Sequence, residues 1–433
     1  MPDTVVLLTI DALGAGHVGH LGYDRETTPR LDALTDGGAT YLNCVAQSSH
    51  TRESMPSLFL SAYPLDVGGV GPVPEDRPTL ATVLGAAGFE TAGFHSNPYL
   101  SRAYGFDRGF DTFDDGLPLA RNRVVTFLHR VKNHLSTQPY VRAEDLVERG
   151  LDWLDETDAD RRFLWLHFMD PHGPYQPPER HQRRFLEEPV GSRRAKRLWR
   201  RSVDDPDSLT EGGLRTLEAL YDAEIRYTDE VIGEFLEELS RRGLRSESLV
   251  IVGADHGDAF GEDGVVGHPR EVVEELVHVP LVVFGSGVPS DVRVSRVVEN
   301  VDVAPTICEH CGVSPPLAFA GEPLPFDGSV TGGTGVAEAS GEGADRELRR
   351  FAVRSPGRLL RAEFDLEGTV RERVLEDVGL EDTGTETEAP SREELTAVLD
   401  EHVRKTDALE ATPETEDGVD DVVADRLADL GYR

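Results

Sequence analysis

A chain of 433 residues with 80 acidic and 44 basic side chains carries a formal charge of −36, and so acidic a surface repels nucleic acid and anionic lipid head groups. A core of this size needs no disulfide support, and Cys44, Cys308 and Cys311 form no metal-type quartet. No apolar run approaches the length of a membrane span.

The acid is spread along the whole chain, and the lysines are limited to Lys132, Lys196 and Lys405. That balance suits a protein that must stay hydrated in molar salt, so a halophilic origin is expected. Cys308 and Cys311 are spaced C-x-x-C but fall in the helical pattern after Pro305, and read as buried small hydrophobes in a reducing compartment. The first apolar run, residues 5–10, follows Asp3 with no basic segment before it. It reads as a strand and not as a signal peptide, which makes the expected location cytoplasmic.

In chain order, residues 5–10 predict a strand buried on both faces, followed by helices over 30–36 and 80–87. Residues 117–142 read as a helical insertion and 143–154 as a helix. A second buried strand is expected at 163–168, and an Arg-rich insertion at 180–201. A helix over 216–239 precedes strands at 249–253 and 280–284. Residues 328–345 form a Gly-rich connection, and short alternating runs over 350–371 fit a small antiparallel sheet. The acidic stretch from about 380 to 417 is expected to be mobile, and 422–430 to close the chain with an amphipathic helix. The pattern predicts an α/β fold with a large, mostly parallel central sheet flanked by helices, over residues 1–327. The connection 328–345 then leads to a small C-terminal α+β subdomain, 346–433.

Three of the expected strands run into residues of ligand type. Asp11 follows the first, Met169-Asp170-Pro171-His172 the second, and Asp255-His256-Gly257-Asp258 the third. In open α/β sheets ligands bind beyond the carboxyl ends of the strands. Any one such acid serves equally well as a helix N-cap. Two carboxylates and an imidazole at one sheet edge suit a single divalent cation, Ca²⁺, Mg²⁺ or Mn²⁺, with Asp11, Asp255 and His256 as its ligands.

The segments Leu8-Thr9-Ile10-Asp11-Ala12-Leu13, Gly105-Phe106-Asp107-Arg108-Gly109-Phe110-Asp111 and Met169-Asp170-Pro171-His172-Gly173-Pro174-Tyr175 continue into Asp255-His256-Gly257-Asp258 and Gly267-His268. In this order they resemble the sulfatase family of the alkaline phosphatase superfamily. The resemblance implies that family's fold and a nucleophile about a dozen residues before Tyr63-Pro64, which falls on Thr51, with Ser54 as the runner-up. Thr51 itself lies in no helix-forming run and would pass as a plain loop residue. Family sulfatases oxidise a Cys or Ser at the nucleophile position to formylglycine, which a Thr cannot become. The motif's Pro and Arg are Glu53 and Met55 here, and the second Asp of the usual pair is Ala12. No formylglycine is expected, and the resemblance is to members of the Thr-nucleophile type, whose hydroxyl is activated by the cation.

The same resemblance gives His172 and His268 roles in contacting the transferred group or protonating the leaving oxygen. A solvated or structurally bonded imidazole is the plain alternative for each. Arg52 and Asn97 are candidates for substrate binding, Arg52 replacing the charge lost at Met55, although an Asn before Pro also forms turns. Asp258 and Glu262 are expected behind the ligands or in loops. The expected activity is hydrolysis of a sulfate or phosphate ester of a small anionic molecule. The alternatives are a phosphoryl or phosphoglycerol-type transferase or a phosphodiesterase on the same site, and a non-catalytic metal-binding module.

Overall fold

Seven consecutive buried residues, Thr4–Ile10, form β1 in the middle of the main sheet of the computed structural model, which describes residues 1–116, 140–328, 332–341, 343–379, 389–406, 409, 423 and 427. The other strands follow as β2 (Gly38–Val45), β3 (Glu90–Phe94), β4 (Thr112–Asp114), β5 (Arg162–Phe168) and β6 (Ser248–Ala254). A short hairpin, β7 (Ala259–Phe260) and β8 (Val266–Gly267), precedes β9 (His278–Gly285), β10 (Val292–Val294) and β11 (Val298–Glu299). The sheet order is β10-β2-β9-β6-β1-β5-β3-β4, with β11 also on β2. β9 runs antiparallel to both of its neighbours, while every other pairing in this sheet is parallel.

The helices are α1 (Pro29–Asp32), α2 (Thr51–Leu60), α3 (Leu80–Ala86), α4 (Ala143–Glu156) and α5 (Glu179–Phe185). They continue with α6 (Ser192–Asp204), α7 (Glu211–Arg241), α8 (Glu274–Val277) and α9 (Val303–His310). The fold is thus an α/β arrangement, a large mixed sheet flanked by helices. A second sheet, β12 (Gly335–Ser340), β13 (Leu348–Ser355), β14 (Arg358–Asp365) and β15 (Val370–Asp377), is wholly antiparallel. Helix α10 (Arg392–Lys405) packs on it through Leu395 and Leu399 against Phe351 and Leu360.

The register matters most for the site. Ile10 lies opposite both Phe168 and Ala254, so the three central strands end level and release Asp11, Met169 and Asp255 at one edge.

Several expectations need correction. Thr51 is not in a plain loop but opens helix α2, whose residues are all buried. Thr51, Ser54, Pro56 and Ser57 give that segment little helical propensity, and burial on every side supplies what propensity does not. The helix expected over 30–36 is one turn followed by a 3₁₀ turn at Thr35–Gly37. Strand β12 falls inside the stretch read as a connection. Within the stretch expected to be mobile, α10 forms behind a capping box of Ser391 and Glu394. The Arg-rich insertion resolves into α5 and α6. Most of the insertion at 117–142 and of the terminal helix at 422–430 lies outside the described residues. Cys44, Cys308 and Cys311 are buried and free. Among the described residues no helix is long and apolar enough to cross a membrane.

Candidate metal centre and active site

At the level edge of β1 and β6, the side chains of Asp11, Asp255 and His256 converge, with ligand-type atoms within 4.8 Å of one another. All three are fully buried. Asp255 Oδ1 accepts from the backbone N–H of Ala12 and of His256, at 3.1 and 2.9 Å. Asp11 Oδ2 accepts from Asn97 Nδ2 at 2.8 Å and faces His167 Nε2 at 3.1 Å. The other oxygens, Asp11 Oδ1 and Asp255 Oδ2, accept no hydrogen bond among the described residues. His256 Nε2 lies 3.8 and 3.6 Å from these two oxygens. Its Nδ1 donates to the Gly257 carbonyl at 2.8 Å, which leaves Nε2 as the lone-pair nitrogen. Two orphaned carboxylate oxygens and a ring nitrogen with its lone pair toward them fit one divalent cation, since buried anionic oxygens without partners are costly unless a cation satisfies them.

Gly257 allows this packing. A Cβ there would lie 2.0 Å from the Glu275 carbonyl oxygen and 3.0 Å from Gly14 Cα.

Thr51 faces the same cluster. Its Oγ1 is 3.1 Å from His256 Nε2 and 3.5 Å from Asp11 Oδ2. As the first residue of α2 it sits where the helix N-terminus favours negative charge. His50 caps the helix, accepting from Arg52 N. Ser54 donates instead to the Asp255 carbonyl, which ties α2 to the ligand loop. Glu53 and Met55, which stand where the formylglycine motif has Pro and Arg, have structural work. Met55 is core, and Glu53 accepts from Ser48 Oγ at 3.1 Å, Ser340 N at 3.2 Å and Ser340 Oγ, tying α2 to β12.

The histidines continue outward from the cluster. The His256 and His268 rings are 4.8 Å apart, as are those of His268 and His172. Asp258 Oδ1 lies 3.2 Å from His268 Nδ1, and Tyr175 donates its hydroxyl to Asp258 Oδ2. Burial disfavours charge on His268, but the Asp258 carboxylate outweighs it and holds the pKa above its ordinary value. Burial pushes His172 down to about 4, against the pull of the Asp11 charge. Burial would also raise Asp11, yet the surrounding His172, His167 and His256 hold it below the usual carboxylate range. Asp255 is raised, by burial first and then by Asp11. The two imidazoles beside the pocket are thereby set apart, one favouring its neutral form and the other its cation.

The structure thus brings together Asp11, Asp255, His256, Thr51, His172, His268 and Asn97. Asn97 forms the expected turn at Pro98, accepting from Tyr99 N, and its Nδ2 donates to Asp11 Oδ2, a contact separate from the substrate-binding part expected of it. Arg52 is placed differently. It is fully buried, stacked 4.0 Å from the Tyr104 ring centroid and donating from Nε to the Val70 carbonyl. Those contacts hold the guanidinium in the packed interior. Glu262 accepts from Phe260 N in the β7–β8 turn.

Sequence reasoning missed His167, Thr9 and Trp165. The Trp165 indole donates to Thr9 Oγ1 at 2.9 Å, and Thr9 Oγ1 in turn lies 2.9 Å from His167 Nδ1. With Thr9 donating to Nδ1, His167 keeps its proton on Nε2 and presents it to Asp11. A polar residue within the apolar run of β5 was the available signal.

A level sheet edge that gathers two buried carboxylates, an imidazole and a helix-borne hydroxyl defines the class as an α/β protein with one buried polar cluster, able to hold a metal ion, at the carboxyl ends of its central strands. Residues 3–313 match the Sulfatase family, and the chain belongs to it. It is similar to an ulvan-active sulfatase of Formosa agariphila, 23% identical over 75% of this chain and 64% of that one. Other curated relatives are matched over about a fifth of their own length. Among solved structures it resembles BT4656 in complex with D-glucosamine-2-N,6-O-disulfate, with a TM-score of 0.71 at 15% identity over 96% and 100% of the two chains. It also resembles the phosphonate monoester hydrolase of Agrobacterium radiobacter, with a TM-score of 0.66 at 18% identity over 96% of each chain.

Proposed function

We propose that the protein hydrolyses a sulfate or phosphate ester by attack of the unmodified Thr51 hydroxyl. One observation carries this reading: Thr51 Oγ1 sits 3.1 Å from His256 Nε2 and 3.5 Å from Asp11 Oδ2, on the two residues that share the cluster with Asp255. Asp11, Asp255 and His256 would hold a divalent cation, which when bound would supply positive charge to lower a hydroxyl's pKa and neutralise ester oxygens.

Thr51 Oγ1 gives its proton to solvent water and bonds to the sulfur or phosphorus, while the bond from that atom to the ester oxygen breaks and the departing oxygen takes up a proton. In this reading His268, paired with Asp258, donates that proton, and neutral His172 partners a non-bridging oxygen; the Asp258 contact and the lowered His172 pKa support these roles. Water then cleaves the ester on Thr51 and restores the hydroxyl. Thr51 in place of an oxidisable Cys or Ser favours phosphorus, because a plain hydroxyl has no aldehyde hydrate from which to expel sulfate. The acidic surface further supports a protein adapted to molar salt.

The test is a panel of nitrophenyl sulfate, phosphate and bis-phosphate esters in high salt with Ca²⁺, Mg²⁺ or Mn²⁺. Thr51→Ala is expected to abolish turnover with cation binding retained, and Thr51→Ser to keep part of it. Undiminished turnover by Thr51→Ala would remove Thr51 as nucleophile. Tight cation binding with no turnover of any ester would favour a non-catalytic binding module.

A further inference from the structure

The second sheet has an edge that the segment around Thr51 closes. Strand β12 is the outer strand of that sheet and pairs with β13 along one side, so the backbone groups on its other side need partners. The main domain supplies them. Val336 N donates to Glu299 Oε1 at 2.8 Å, and Glu338 N donates to the Gln47 carbonyl at 2.7 Å. Ser340 N donates to Glu53 Oε1 at 3.2 Å, and the Ser340 hydroxyl donates to the same oxygen. Residues 336, 338 and 340 alternate along the strand, the spacing at which backbone groups share one edge.

Gln47 and Glu53 bracket Thr51, and both are fully buried. Glu338 also reaches the far flank of α2, its Oε2 accepting from Leu65 N at 2.9 Å. One strand thus holds the chain before and after a helix that has little propensity of its own. Glu53 stands where the formylglycine motif has Pro, a residue without a side-chain acceptor. The departure from the motif is therefore the residue that makes the bond. On β13, burial holds the Arg349 pKa below its ordinary value while the Glu53 charge pulls the other way, so a base of the second sheet lies within reach of that carboxylate.

We propose that Glu53 and Ser340 are positioning residues, through which the edge of β12 sets where the Thr51 hydroxyl meets His256. The second sheet is then part of the active site without touching the substrate. The inference rests on the ester-hydrolase reading for the reaction that Thr51 performs, whereas the placement of Thr51 does not. A reacting group displaced by about 1 Å can lose on the order of 100-fold in rate, so a bond two residues from the nucleophile is enough to matter.

The test compares the full-length wild type with Ser340→Ala, Glu53→Ala and Glu53→Gln, by turnover of the nitrophenyl esters and by hydrogen exchange, both with excess Mn²⁺ in high salt. Glu53→Ala is expected to lower kcat by about tenfold, with KM and the Mn²⁺ dissociation constant unchanged. Ser340→Ala should lower kcat by about threefold. Glu53→Gln keeps the accepting oxygen and should stay within about twofold of wild type. Residues 46–58 should exchange faster in Glu53→Ala, while β1 and β6 keep their protection. Faster exchange with kcat intact would make the contact merely structural and overturn the proposal. Should Glu53→Ala fail to fold, Ser340→Ala decides, and a kcat equal to that of wild type overturns the proposal. If the wild type turns over no ester, faster exchange over 46–58 keeps the placement of Thr51 by β12 and removes the hydrolase reading, while unchanged exchange removes both.

Discussion

His167 Nε2 lies 3.1 Å from Asp11 Oδ2, at the end of a buried chain that runs from the Trp165 indole through Thr9 to the imidazole. Together with Asn97 it occupies Oδ2, so that Oδ1 is the oxygen turned toward Asp255 and His256. Partners that orient a ligand in this way typically carry 10- to 100-fold in metal affinity. Thr9→Val, which removes the hydroxyl but keeps the shape, is expected to weaken cation binding by about tenfold. His167→Phe should weaken it more. Calorimetric titration of the metal-free protein checks both, and unchanged dissociation constants would reduce the chain of bonds to core packing.

Removal of the cation should be felt as lost stability. Asp11 and Asp255 are both fully buried with one oxygen each unpartnered, so chelation leaves adjacent buried charges without a counter-ion. With free cation at about 100 times its dissociation constant, binding contributes about 2.7 kcal/mol. Chelation is therefore expected to lower the melting temperature by roughly 3 °C in a chain of this size. Asp255→Asn should make melting insensitive to chelator.

Ala12 follows Asp11 with φ at 57°, a left-handed conformation that a Cβ disfavours. It is held there because its N–H donates to Asp255 and its carbonyl accepts from Tyr221. Ala12→Gly is expected to raise stability by about 1 kcal/mol in denaturant unfolding, with cation affinity unchanged. A destabilised variant would show that the methyl group's packing outweighs the strain.

A second acidic cluster sets a pH dependence away from the metal pocket. Burial, and then the Asp302 charge, push Glu299 up to about 8. The folded protein therefore holds a proton that the unfolded chain releases near pH 4.5. The contribution is complete below that value and is lost as pH rises through 8. Glu299→Gln keeps oxygen and shape for its contacts with Val336 N and Tyr63. It is expected to flatten the stability profile between pH 5 and 8 and to gain on the order of 2 kcal/mol at the upper end. A parallel pH profile in wild type and variant would contradict this.

The sequence alone determined the central strands, because residues 5–10, 163–168 and 249–253 are apolar runs bounded by polar residues, and such runs bury wherever they lie. It also determined the ligand types, since Asp11, Asp255 and His256 stand directly after strands whose ends must face a crevice. Helix α2 was not legible, because Thr51, Ser54 and Pro56 oppose a helix locally and burial by distant segments overrides them. The same limit hid β2, paired to strands more than two hundred residues away. Arg52 lies beside Thr51 in the chain, yet the helix turns its side chain into the core against Tyr104. Composition named the candidate groups. Only the level ends of β1, β5 and β6 and the entry angle of α2 decided which carboxylate oxygens stay bare and which hydroxyl faces them, because those depend on packing between segments that sequence neighbours do not share.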